Sequence, residues 1–177
     1  MLSISKVFNP VFKVGIGLGV GIGSLLAALP AWTTPSPVFD PILEEINATA
    51  TSPARLPTAI PTDVELYPSF QNHFGILAIR LDTVADCEDS SCLGLGIVSA
   101  PEPAYWPPLD ADDATIVELG NGLQGYAYET DTISALHWVQ DGTQYAVSYN
   151  EEMFSLEDTI AMANSMISEP PITEVPQ

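Results

Sequence analysis

All 16 prolines of the chain fall outside residues 109–169, and this asymmetry decides where long regular structure can form. Proline lacks the backbone N–H that sheets and helix interiors need, so proline-dense stretches are restricted to loops, sheet edges and first helical turns. Within the proline-free stretch, short apolar runs alternate with turn residues. The pattern predicts strands over residues 115–119, 124–129, 133–140 and 143–149, joined by Gly120-Asn121-Gly122, residues 130–132 and Asp141-Gly142. Asp-Gly between two alternating runs is a strong hairpin signal. Leu136 and Trp138 share one face of such a meander, and Tyr145, Val147 and Tyr149 share one across the turn. A helix follows. Ser155 stands three residues before Asp158, the capping-box spacing, with Glu157 in the favourable first turn. Leu156, Ile160, Ala163 and Ile167 then form one apolar stripe, and Pro170-Pro171 end it.

Upstream, the runs at residues 75–81 and 93–99 predict a hairpin in which Leu77, Ile79 and Leu81 share a face. Between them, Asp86-Cys87-Glu88-Asp89-Ser90-Ser91-Cys92 holds the two cysteines of the chain. In an oxidising compartment such a pair closes a small loop, and a disulfide that pins a turn is the leading reading. The spacing lacks the C-x-x-C of thiol oxidoreductases and makes at most half a zinc site. Residues 101–108 form a proline-rich crossing that carries Tyr105 and Trp106.

The expected architecture is α+β: a curved antiparallel sheet of about six strands in meander order, with a C-terminal helix packed on one face. Residues 61–168 form this single domain. Residues 1–31 read as a signal peptide or N-terminal anchor, with Lys6 and Lys13 before an uncharged apolar stretch and Leu29-Pro30-Ala31 before Trp32. About 16 apolar residues is short for a membrane span, which favours cleavage. Residues 32–60, rich in Pro, Thr and Ala, read as a linker interrupted by a short helix at Asp40-Pro41. Residues 169–177 read as a flexible tail.

Charge narrows the function. Four Lys and Arg stand against 23 Asp and Glu, a net charge of −19, and beyond residue 31 the bases are Arg55 and Arg80. Nucleic acid and anionic surfaces are disfavoured, cationic partners are favoured, and lysine chemistry is excluded from that portion. Calcium is the one cofactor for which candidates arise, at Asp110, Asp112 and Asp113 in one loop, with a second acidic cluster of Asp82, Asp86, Glu88 and Asp89 near the cysteines. An EF-hand starting at Asp110 fails, because its fifth, sixth and twelfth positions are Ala114, Thr115 and Asn121. Acidic loops simply in contact with water are the default.

The block at residues 117–166 resembles a bacterial exported domain of unknown function, itself distantly like lipoprotein-carrier and sigma-factor-regulator sheet domains. The likeness rests on Gly122, Gly125-Tyr126, Leu136-His137-Trp138, Gly142, Tyr145, Ser155, Ala161 and Ala163-Asn164-Ser165-Met166. It implies a sheet with a helix on it and no catalytic residues.

His73 and His137 are the only imidazoles, and neither sits in a nucleophile motif. We therefore expect an exported, periplasmic or extracellular monomer that is not an enzyme. It would act as an accessory or protein-interaction module, with an apolar-ligand carrier and a hydrolase as the alternatives. Candidate residues for a ligand or partner surface are Tyr105, Trp106, Trp138 and Tyr145, although Tyr105 and Trp106 also suit a lid packed on the sheet. A cavity between Trp138, Tyr145 and the helix would favour the carrier, and a filled core the module.

Overall fold

Seven runs of alternating side chains pair into one open antiparallel sheet, described in a computed structural model over residues 34–87, 89–102, 114–129 and 133–173. In chain order the strands are β1 (Tyr67–His73), β2 (Ile76–Asp82), β3 (Leu93–Pro101), β4 (Thr115–Glu118), β5 (Gln124–Tyr128), β6 (Ser134–Gln140) and β7 (Thr143–Tyr149). Their order across the sheet is β1-β2-β3-β7-β6-β5-β4. Two local meanders, β1 to β3 and β4 to β7, are joined where β3 meets β7. Every neighbouring pair is antiparallel, so β3 and β4 run parallel with three strands between them.

Six of these strands are the expected ones, and β1 is additional. Pro68 and the polar Ser69, Gln71, Asn72 and His73 disguise it in the sequence. An edge strand tolerates both, since one of its sides makes no ladder bonds.

Register places Ile79, Ile97, Val147, Leu136 and Ala127 in one row across the sheet, with Leu77, Tyr145 and Trp138 in the next. All are buried, and with Phe39, Phe154 and the helices they form one core. Helix α1 (Asp40–Thr49) contributes Ile42 and Ile46, and α2 (Leu156–Ser168) contributes Met162, Ala163, Met166 and Ile167. The buried face of α2 is rotated from the expected stripe. Ala163 and Ile167 belong to it, while Leu156 and Ile160 lie at its margin and Thr159, Met162 and Met166 fill its centre. Methionine's long, unbranched side chain adapts readily to such a buried position. The capping box forms as expected: Ser155 Oγ accepts from the Asp158 N–H at 3.1 Å, and the Ser155 N–H donates to Asp158 Oδ2 at 3.0 Å.

The segment read as a linker instead closes the core. Phe39, Ile46, Ala54 and Leu56 are buried in it, because α1 has an apolar face that only the sheet can cover. Arg55 is buried too. Its Nη1 donates to the carbonyls of Met166, at 3.1 Å, and Glu169, satisfying groups that the end of α2 leaves without partners. The expected tail is likewise anchored through Thr173. Ala54 N–H donates to Thr173 Oγ1 at 2.8 Å, and Ile172 N–H donates to the Ala54 carbonyl at 2.8 Å. All described residues belong to the unit Trp32–Gln177.

Ser155→Ala should lower stability by about 1 kcal/mol in chemical denaturation, since it removes the cap of a helix that the core requires. Arg55→Met should cost more, about 2 kcal/mol, because buried carbonyls lose their donor. Equal, negligible effects in both variants would show that neither helix end limits stability.

Candidate functional site

Trp138 and Tyr145 face each other across β6 and β7 and stack with ring centroids 5.4 Å apart. They are 0% and 1% exposed, so they are core residues and form no partner surface. Alternation dictates this outcome, since both side chains fall on the sheet face that α2 covers. Tyr145 reaches out of the core only through its hydroxyl, which donates to the Pro53 carbonyl at 3.3 Å, and burial raises its pKa above the ordinary value. The other expected candidates, Tyr105 and Trp106 and the calcium set Asp110, Asp112 and Asp113, lie outside the described residues. Among the described residues, no group of three or more His, Cys, Asp or Glu is placed to hold a metal ion. Likewise no helix there is long and apolar enough to cross a membrane.

Cys87 and Cys92 are disulfide-bonded, with their Cα atoms 6.3 Å apart. The loop they close is tied back to β2. Arg80 donates to Asp82 Oδ1 at 2.8 Å and to the Asp89 carbonyl at 3.1 Å, and the Thr83 N–H donates to the Cys92 carbonyl at 2.8 Å. The Asp89 carboxylate accepts the Ser91 N–H, which holds its pKa below the usual value. Two of the acids near the cysteines, Asp82 and Asp89, are thus already engaged in holding the loop.

His137 lies on the opposite face of the sheet from the helices, buried, between Tyr126 and Ala146 in register. Its ring stands edge-on to Tyr128 at 5.2 Å. Burial lowers its pKa from 6.5 to about 4, so the imidazole is neutral at physiological pH and a weak base.

One end of the sheet carries an exposed aromatic turn. The β1–β2 hairpin turns through two residues, Phe74 and Gly75, both at positive φ (52° and 80°), the pattern of a type I′ turn. Side-chain hydrogen bonds fix this tip: Ser52 Oγ donates to the Gly75 carbonyl and Asn72 Nδ2 to the Thr49 carbonyl. Four described residues other than glycine have positive φ. Three are Asp86, Asn121 and Asp141, types that tolerate the left-handed region, and the fourth is Phe74. Phe74 is also 90% exposed, with its ring centroid 4.1 Å from that of His73, and Ile76 beside it is 39% exposed.

This tip is continuous with two carboxylates. A Cβ on Gly75 would stand 3.6 Å from Pro101, the next residue, Glu102, donates its N–H to the Gly142 carbonyl at 3.0 Å, and Asp141 completes the β6–β7 turn. Pro101, Glu102 and Asp141 are exposed. Asp141 meets Arg55 Nη2 at 3.5 Å, with 81% of its side chain open to solvent. Sequence reading missed the tip, because Phe-Gly hides a turn that Asn-Gly would announce. Its one signal was Gly75 directly before an apolar run.

Compared with protein-family models, curated proteins and solved structures, the chain matches none.

The His137 pKa carries a pH dependence with a defined sign. Its folded value lies below the unfolded one, so its neutral form contributes full stability above pH 6.5, and that contribution is lost as pH falls from 6.5 toward 4. The loss should reach about 3 kcal/mol at about 1.4 kcal/mol per pKa unit. Denaturation of wild type and His137→Gln at several pH values measures it. A wild-type slope through that window no steeper than the variant's would show that His137 does not cause it.

Proposed function

We propose that this chain is an exported, non-enzymatic accessory module that binds another protein through the end of the sheet bearing Phe74. The observation that carries the reading is a large aromatic side chain kept in solvent and in a backbone conformation unfavourable to it. Backbone strain at a turn where Asn or Asp would fit better is a cost to stability that a binding role for the side chain accounts for. Supporting this, Trp138 and Tyr145 fill the space in which a carrier would hold its ligand. Burial also makes the His137 imidazole a poor general base near neutral pH. The Cys87–Cys92 bridge fits an oxidising compartment, where such bonds persist.

Phe74→Asn tests the reading. The variant should melt about 2 °C higher, because Asn suits the turn. In gentle extracts of the producing cells the full chain should elute as a complex well above its own 18.9 kDa, and the variant at the monomer position. A lower melting temperature would make Phe74 a structural residue and sink the proposal. So would identical elution of the two proteins.

A further inference from the structure

We infer that the partner presents an apolar pocket rimmed by Arg or Lys, with Phe74 as the inserted anchor and Glu102 and Asp141 as the carboxylates that meet the rim. This rests on the proposed function above and gives it a partner chemistry.

The anchor is apolar and rigidly held. Phe74 projects from a two-residue turn whose backbone is fixed from both sides by Ser52 and Asn72, so its insertion orders little that is not ordered already. Ile76 and Pro101 extend the apolar centre. An aromatic anchor surrounded by smaller contacts and a polar margin is the anatomy of a binding hot spot.

The margin is acidic. Strand spacing of about 4.8 Å puts the β1–β2 and β6–β7 turns about 14 Å apart, within one interface of ordinary size. Among the described residues, Glu102 and Asp141 are exposed carboxylates linked to the tip through Pro101 and Gly142. Of the two described bases, Arg55 is buried beneath α2 with its Nη2 3.5 Å from Asp141, and Arg80 is paired with Asp82 in β2, so neither is offered to an anionic surface. The net charge of −19 repels a second copy and an anionic lipid surface, and steers cationic proteins toward the molecule. Among the described residues, a lipid surface would also receive one largely exposed aromatic side chain, with no described cation beside it.

The test places p-benzoylphenylalanine at position 74 of the full chain in the producing cells, with the same probe at Val84 as a control. Val84 is 55% exposed and follows β2, at the other end of the strand from the Phe74 turn. After irradiation, adducts are identified by mass spectrometry. The expected result is an adduct with a different protein from position 74 and not from 84, at a peptide bearing at least two Arg or Lys. Its yield should fall about threefold in Glu102→Gln and Asp141→Asn backgrounds, and about tenfold when cell extracts are irradiated at about 0.5 M salt rather than at physiological ionic strength. A protein adduct indifferent to the charge variants and to salt, or at a peptide without cations, would overturn this inference and leave the interaction module standing. An adduct on lipid, on a second copy, or none at all would overturn both.

Discussion

The pairing of β3 with β7 holds the molecule together. Each meander, one of three strands and one of four, can form its own hairpins from neighbouring sequence, but the single core that both helices share spans the two. Only when residues 95–101 take their partners from residues 143–149 does the face become wide enough for α1 and α2 to lie on it. The buried row that includes Ile97, Val147 and Leu136 crosses that junction, and so does the row containing Ser99, Tyr145 and Trp138. The segment 50–57 and the end of the chain then lock the helix side, through Arg55 under α2 and Thr173 against Ala54.

The parts of this design visible in the sequence were those specified locally. Asp141-Gly142 announced its hairpin because both residues suit positive φ, and Ser155 with Asp158 announced α2 because a capping box is complete within four residues. What the sequence hid depends on distant partners. Residues 34–60 look like a linker until the sheet is present to bury Phe39, Ile46 and Leu56, and β1 lacks an apolar pattern because only one edge is paired. The buried face of α2 likewise depends on its packing over the sheet, which periodicity does not encode. Trp138 and Tyr145 were conspicuous as aromatics and turned out to be packing. Phe74 was inconspicuous and is the most exposed large apolar side chain described.

Carboxylates stand at both ends of the strands. Asp82, Asp86, Asp89, Glu151 and Glu152 follow or end strands at the side of the sheet where Tyr67 pairs with Asp82, while the Phe74 turn closes the other side. Glu102 and Asp141 stand with that turn, and Val64 and Val84 are exposed at the Asp82 side, so neither end is purely acidic or purely apolar.

The distribution of basic residues has a further effect. Lys6 and Lys13 both precede residue 32, and beyond them the chain offers only the peptide bonds after Arg55 and Arg80 to an enzyme that cuts next to cationic side chains. Arg55 is held beneath the end of α2, and Arg80 sits in β2 with strands paired on both sides. A protease of that specificity would need to unfold the core to reach either bond. The folded protein should therefore outlast many of its neighbours in a trypsin-rich environment, a durability that comes from its composition and not from exceptional thermodynamic stability.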